Sequence, residues 1–155
     1  MAGFDVAQSL KFANDRSRDN SRMPFPWNEE EHGGFTSGTP WLKCNDDYAS
    51  ICAEKQSQDK NSLLYYYRNL IQVRKDEANR ECLIYGEVRE IENAVESVIA
   101  FERIAENGEK IQIWINMSDE TQQADIAEGE ILCNNYSETS QKSLNPYQAV
   151  MVRRR

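Results

Sequence analysis

The hydrophobic pattern of this chain changes its period near residue 80, and that change limits the possible folds more than any other feature. After this point apolar and polar residues alternate, most clearly in Ile111-Gln112-Ile113-Trp114-Ile115. Alternation of this kind is typical of half-buried β-strands. Glu106-Asn107-Gly108-Glu109 predicts a type I′ hairpin turn between two of them. The candidate strands are 83–91, 97–104, 110–117, 130–134 and 148–154. Several short strands separated by turns favour a small antiparallel sandwich over 81–155.

Before residue 80 the apolar residues follow a helical period in two places. The spacing of Phe4, Ala7, Leu10 and Ala13, with Val6 beside them, predicts an amphipathic helix over 4–15. A stronger helix is predicted over about 60–78, with Asp59 or Asn61 as its N-cap. Its apolar residues follow the pattern of a buried stripe and are Leu63, Leu64, Tyr67, Leu70 and Ile71.

Residues 16–58 follow neither period and contain three prolines and three glycines. Structureless segments of this length in compact domains are usually functional or disordered. Trp27, Phe35 and Trp41 favour order, because they offer apolar area that needs burial. We therefore predict an ordered functional loop. From chemistry alone each tryptophan either packs in a core or forms a platform for a sugar ring.

Composition excludes several kinds of partner and site. The 155 residues carry a formal net charge of -8, which argues against binding to nucleic acid or to an anionic membrane. The four cysteines form no C-x-x-C pair, so we expect free thiols, no metal site and no cofactor. The sequence shows no apolar run long enough to cross a bilayer and no secretory signal, which predicts a cytoplasmic protein.

The titratable residues of the loop do not form a catalytic set. His32 lies in an acidic segment and has no evident orienting partner, so we interpret it as a solvated loop residue. The acidic runs Glu29–Glu31 and Asp46-Asp47 are interpreted as solvated faces. A glycosidase needs two carboxyl groups that face each other across the scissile bond, and adjacent acids in one loop do not meet that requirement.

Two motifs in this loop resemble a known family. Arg18-Asp19-Asn20-Ser21-Arg22-x-Pro24-x-x-Trp27 and Gly34-Phe35-Thr36-x-Gly38-x-Pro40-Trp41 are similar to a signature of the α-glucosidase branch of the α-amylase superfamily. That branch holds oligo-1,6-glucosidases, dextran glucosidases and their trehalose-phosphate-cleaving relatives. The resemblance continues through Asn61–Ile71 and reaches Pro146-Tyr147-Gln148-Ala149. It covers essentially the whole chain, as the last quarter or so of a family member.

The resemblance implies both a fold and a function. It implies an α+β chain with two parts. Residues 1–80 would be the end of a (β/α)₈ barrel and would contain a helix, a long active-site loop and the last barrel helix. Residues 81–155 would form a C-terminal β-sandwich. The parent would be a retaining α-glucosidase acting on short α-glucosides, whose nucleophilic Asp, acid/base Glu and assisting Asp come from barrel strands that precede this chain. The isolated chain is therefore expected to be catalytically silent.

The resemblance also implies roles for individual residues. Arg22 matches the arginine that reaches the pocket for the non-reducing glucose, whereas Arg18, Asp19, Asn20 and Trp27 would shape the loop. An oligosaccharide would bind only in the context of the full enzyme, and barrel-facing surfaces left exposed would favour self-association. The alternative is a free-standing carbohydrate-binding or interaction module, which an exposed aromatic platform around Trp114 or Tyr136 would favour.

Overall fold

The fold is taken from a computed structural model that describes residues 5–16 and 18–154. The chain forms two compact units, Met1–Tyr65 and Tyr66–Arg155. Helix α3, Leu63–Lys75, contains the point of division. Among the described residues, no helix has both the length and the apolar content needed to cross a membrane.

The first unit is built from short helices and a long loop. Helix α1 spans Val6–Arg16 and helix α2 spans Ala53–Gln58. The helix predicted over 4–15 is thus confirmed within one or two residues, and Phe4 lies outside the described residues. Val6 and Leu10 are exposed, so the apolar face of α1 has no cover among the described residues.

Helix α3 begins later than the predicted helix and has a different cap. The Ser62 hydroxyl accepts a hydrogen bond from the Tyr65 N–H (3.1 Å), which makes Ser62 the N-cap in place of Asp59 or Asn61. Asp59 accepts from the Asn61 N–H (2.8 Å) and thereby closes the turn before the helix. The helix stops at Lys75, and Asp76 caps a separate helix α4, Glu77–Arg80.

The predicted burial of the α3 stripe is wrong for this chain. Leu63, Leu64, Tyr67 and Ile71 are all exposed, and Leu70 is half-buried. The pattern identifies an apolar face correctly, but the described residues of the chain contain nothing that covers it.

The described residues of the second unit form seven strands. A five-stranded antiparallel sheet has the order β1-β2-β3-β7-β5, and β4 pairs with β6 in a two-stranded sheet. The strands are β1 Glu87–Glu90, β2 Val98–Ile104, β3 Lys110–Asn116, β4 Gln122–Gln123, β5 Gly129–Asn134, β6 Ser143–Leu144 and β7 Ala149–Arg154. All five predicted strands are found, so the chain is α+β with an antiparallel sheet.

Two local predictions for this unit are wrong. The strand predicted from residue 83 begins at Glu87, because Glu81–Tyr85 forms a π-helical turn that buries Cys82 and Leu83. The hairpin is not type I′, which needs positive φ at both central residues. Within the fully described loop 105–109, only Gly108 has positive φ, and its N–H donates to the Ala105 carbonyl (2.9 Å). This is a tight turn followed by a left-handed glycine.

Each face of the five-stranded sheet has its own core. On one face Trp114, Val150 and Val152 pack with Leu144 of β6 and with Ile126. On the other face Ile111 and Ile113 pack with Cys82 and Leu83 of the π-helical turn, and Val73 of α3 joins them. The alternation of β3 places successive side chains in different cores, which explains why this strand is nearly all buried.

Candidate functional site

The predicted site lies in the loop between α1 and α2. A 3₁₀ turn spans Asp19–Ser21, and the Arg18 carbonyl accepts from the Ser21 N–H (3.2 Å) and hydroxyl (2.9 Å). The Arg22 N–H donates to the Asp19 carbonyl (2.9 Å). The backbone between the two arginines is therefore closed into a compact turn, and Pro24 behind it is buried.

The next turn depends on left-handed backbone. His32, Gly33 and Gly34 have φ values of 57, 67 and 66°. The Gly33 carbonyl accepts from the N–H groups of Trp27 (2.7 Å) and Asn28 (3.2 Å), and a Cβ on Gly34 would lie 2.3 Å from Asn28 Oδ1. Glycine at position 34 suits the left-handed backbone, and a larger residue there would also displace the Asn28 side chain.

Helix α2 fixes the end of the signature segment. The N–H groups of Ala53 and Glu54 donate to the carbonyls of Pro26 (3.0 Å) and Trp27 (2.9 Å). Lys55 pairs with Glu29 (2.6 Å), and the hydrogen bond to Glu29 raises the pKa of the Lys55 ammonium. This network connects the segment to helix α2 through backbone and side-chain contacts.

The predicted site residues whose side chains are described are exposed on the surface of this loop. Arg18, Asp19, Arg22 and Trp27 are exposed, and the Asn20 side chain is outside the described part of the structure. Within residues 5–16 and 18–154, the Arg22 guanidinium makes no hydrogen bond and no ion pair. Its planar set of donors therefore remains available for a carboxylate or for sugar hydroxyls.

The aromatic residues of the loop are not buried. Trp27 packs edge to face on Phe25 (4.7 Å between centroids), and Trp41 is 87% exposed. Trp41 borders a cleft of about 500 Å³ together with Thr39, Asp46 and Tyr48. An exposed indole beside hydroxyl and carboxylate groups has the chemistry of a sugar contact or of an uncovered packing surface.

The described residues form no group of metal ligands. They contain no cluster of three or more His, Cys, Asp or Glu that could hold a metal ion. All carboxylates of Glu29–Glu31 and Asp46-Asp47 are exposed, as predicted. His32 is half-buried and lies 3.8 Å from Glu31, and the four cysteines are free thiols. The exposed acids face solvent rather than each other across a pocket.

One polar cleft in the second unit was missed by sequence reasoning. It measures about 570 Å³, lies between α3 and β5, and is lined by residues that include Tyr66, Asn69, Gln72 and Cys133. Burial, followed by the neighbouring Cys133 thiol, raises the pKa of Tyr66 to about 12. No sequence signal identifies this cleft, because its two walls are separated by more than 50 residues.

Comparison with known proteins defines the family. The family described as "Alpha amylase, catalytic domain" matches residues 2–86. The chain belongs to this family, and its resemblance to the α-glucosidase branch is confirmed by its relatives.

The relatives are glycoside hydrolases. The chain is 30% identical to oligo-1,6-glucosidase of Bacillus cereus over 161 residues, which is 97% of this chain and 28% of that protein. It is 47% identical to trehalose-6-phosphate hydrolase of Bacillus subtilis over 75 residues, which is 48% of this chain and 13% of that protein. The structure of trehalose-6-phosphate hydrolase from Bacillus licheniformis matches 98% of this chain and 29% of its own length, with a TM-score of 0.85 and 28% identity. The chain thus spans between a quarter and a third of the length of relatives that match nearly all of it.

Proposed function

We propose that this chain is the C-terminal portion of a retaining α-glucosidase that hydrolyses short α-glucosides, α-1,6-linked or related. The proposal rests on one observation about the loop between α1 and α2. This loop lies within residues 2–86, which match the alpha-amylase family, and it exposes Arg22, whose guanidinium has no partner among the described residues. The relatives that match most of the chain include oligo-1,6-glucosidases and α-glucosidases.

Arg22 is proposed as the one substrate-pocket residue of the chain. Its main-chain N–H donates to the Asp19 carbonyl (2.9 Å), which fixes the backbone at Arg22, and its guanidinium has no partner among the described residues. In the pocket it pairs with a carboxylate from the barrel and helps to close the site around the terminal glucose. Arg18, Asp19, Asn20 and Trp27 shape the loop that presents it.

The chain alone is proposed to be inactive. A retaining glycosidase needs a nucleophile and an acid/base group about 5 Å apart. In the loop, Glu29 is paired with Lys55 and Asp46 with Lys43, and both pairs are exposed. These two carboxylates pair with surface lysines and do not face each other across the position of a scissile glycosidic bond.

The same proposal includes the division of the chain into two domains. Residues 1–80 are the end of the barrel and residues 81–155 are a C-terminal β-sandwich. The exposed apolar stripe of α3 supports the first part, because a helix of this kind is stable when its apolar face is packed. The small sheet β4-β6, which covers one face of the larger sheet, supports the second.

The alternative, a free-standing carbohydrate-binding or interaction module, loses one of its two candidate platforms. Trp114 is only 2% exposed, so it cannot serve as a platform. Tyr136 is 40% exposed, and its hydroxyl donates to the Pro146 carbonyl (2.8 Å). Saturable quenching of tryptophan fluorescence by glucose or isomaltose in the chain alone would restore this alternative.

A chimera tests the proposal. In it, this chain replaces the aligned segment of the Bacillus cereus oligo-1,6-glucosidase. We expect the chimera to hydrolyse isomaltose and the chain alone to leave an aryl α-glucoside intact. Hydrolysis by the purified chain alone would refute the proposed silence. A folded chimera without activity, judged by circular dichroism, would refute the assignment to an α-glucosidase.

A further inference from the structure

The turn between β2 and β3 has a chemical feature that the proposed function does not use. Asn107-Gly108 is the one Asn-Gly pair in the sequence, and both residues are exposed at the tip of the turn. A Cβ on Gly108 would meet nothing within 4 Å, so the space beside its backbone is open. Asparagine is among the chemically labile residues of proteins. An open turn with this pair is therefore a place where the chain itself can react.

The side chain of Asn107 is held against the backbone that follows it. Its Oδ1 accepts from the Glu109 N–H (3.0 Å), and its Nδ2 donates to Glu109 Oε2 (3.1 Å). The first hydrogen bond closes a ring that contains the Gly108 amide nitrogen. It also draws electron density from the side-chain carbonyl and makes Cγ a better target for a nucleophile.

The same hydrogen bond recurs at other asparagines, but of these Asn107 alone precedes a glycine. In the described part of the chain, Oδ1 also accepts from the N–H two residues later at Asn28, Asn93, Asn116 and Asn134. The residues that follow them are Glu29, Ala94, Met117 and Asn135. A side chain at the following position crowds the approach of its own amide nitrogen to the preceding Cγ, whereas glycine leaves that approach open.

We propose that Asn107 is a site of spontaneous deamidation through a succinimide. The Gly108 nitrogen attacks Asn107 Cγ, the new N–C bond closes a five-membered ring, and the Cγ–Nδ2 bond breaks. Ammonia leaves with the proton that the Gly108 nitrogen gives up. Water then opens the ring. Attack at Cγ leaves an aspartate, and attack at the main-chain carbonyl carbon leaves an isoaspartate, in which the backbone runs through Cβ and Cγ.

One hydrogen bond opposes this reaction in the folded chain. The Gly108 N–H donates to the Ala105 carbonyl (2.9 Å), so its nitrogen attacks only when the turn opens. Exposed turns open locally without unfolding of the sheet that they connect. The folded chain should therefore deamidate more slowly at Asn107 than the unfolded chain, and still faster there than at other exposed asparagines.

The two products should affect the turn differently. The Glu109 carbonyl accepts from the Ala105 N–H (2.9 Å) and from the Cys82 thiol (3.2 Å), so the end of the turn is tied to the core under the sheet. Isoaspartate adds one atom to the main chain inside this closed turn and displaces one of its ends. Aspartate keeps the main-chain length and adds a carboxylate beside Glu106 and Glu109. We expect isoaspartate to destabilise the turn more.

Ageing of the purified full chain tests the proposal. The chain is kept at mildly alkaline pH and digested, and the peptides are followed by mass spectrometry with separation of aspartate from isoaspartate. We expect Asn107 to convert several-fold faster than Asn93, which is also exposed, makes the same Oδ1 hydrogen bond and precedes Ala94. Both products should form. Equal rates at the two asparagines, or aspartate without isoaspartate, would overturn the proposal.

Variants and a denaturant sharpen the test. Asn107→Gln keeps the amide but needs a less favourable six-membered ring, so it should abolish the early product; persistence of that product would overturn the proposal. Urea should speed conversion at Asn107, because it frees the Gly108 N–H. Conversion in urea with none in the folded chain would overturn the proposal for the folded protein.

Thermal unfolding tests the effect on the turn. The isoaspartate form, separated by chromatography, should have a lower Tm than Asn107→Asp, and equal Tm values would overturn the assigned effect. No readout in these experiments needs hydrolysis of a glycoside, so the inference stands or fails independently of the proposed function.

Discussion

Two isoleucines on the same face of the sheet should differ sharply in their contribution to stability. Ile111 of β3 is fully buried under the π-helical turn, whereas Ile99 of β2 lies on the same face and is exposed. Replacing either with alanine removes the same atoms from adjacent strands. The loss of strand propensity is therefore similar for both and cancels in the comparison.

The magnitudes follow from burial. Ile111→Ala removes atoms that are wholly enclosed and leaves a cavity, which costs about 3–4 kcal/mol. Ile99 is 48% exposed, so its truncation loses only part of the transfer free energy and leaves no enclosed cavity. We expect a cost of about 1 kcal/mol or less for Ile99→Ala. The difference between the variants should be about 2–3 kcal/mol.

Urea unfolding of the full chain measures the difference. Trp114 is buried in the second unit, whereas Trp27 and Trp41 are exposed, so the blue-shifted emission reports on unfolding of the sheet. The free energy is extrapolated to zero urea and the slopes are compared. Equal costs for Ile99→Ala and Ile111→Ala would refute the conclusion that Ile111 is enclosed and Ile99 is not.

Three further predictions concern single side chains. Because the pKa of Tyr66 is raised to about 12, an absorbance titration should show one phenol that ionises late, and Tyr66→Phe should remove that step. In the unfolded chain the same phenol ionises at lower pH. The ionisation of Tyr66 should therefore lower the free energy of unfolding as pH rises from about 10 to about 12. Cys133 is the only cysteine that is not buried, so iodoacetamide should label it before the other three in mass spectra. Gly34→Ala should destabilise the loop by about 1–3 kcal/mol because of its positive φ and the clash with Asn28, whereas Gly38→Ala should have little effect on thermal unfolding.

The sequence predicts regular elements where one physical signal dominates. The alternation in Ile111–Ile115 predicts β3 because both cores draw on its side chains. The apolar stripe predicts α3 because its spacing fits a helix whether or not a partner is present. Burial of that stripe could not be predicted correctly, since it depends on which segment packs against the helix, and residue spacing does not report that.

The errors arise where tertiary contacts override local preference. Leu83-Ile84-Tyr85 is a short apolar run that favours a strand, but packing of Cys82 and Leu83 under the sheet draws it into a helical turn. Arg103 stabilises this turn by donating to the carbonyls of Cys82 (3.1 Å) and Ile84 (3.3 Å). These contacts connect residues about 20 positions apart, which no local pattern reports.

The location of the candidate site stays a prediction. The glycines and prolines of the loop indicate a turn-rich segment, and the hydrogen bonds of α2 to the carbonyls of Pro26 and Trp27 hold its end. The role of Arg22 stays a prediction, because its proposed partner lies outside the described residues. Resemblance to the family, rather than composition or spacing, distinguishes Arg22 from Arg18.

The most direct test of the account compares these two arginines in the chimera with the Bacillus cereus remainder. Arg22→Lys keeps the charge but removes the planar fork, and Arg18→Lys makes the same change four residues earlier in the same exposed loop. We expect Arg22→Lys to lower kcat/KM for isomaltose by about 100-fold, equivalent to about 3 kcal/mol, and Arg18→Lys to leave it nearly unchanged. Equal activity in both variants would contradict the claim that this chain contributes Arg22 to the glucose pocket of an α-glucosidase.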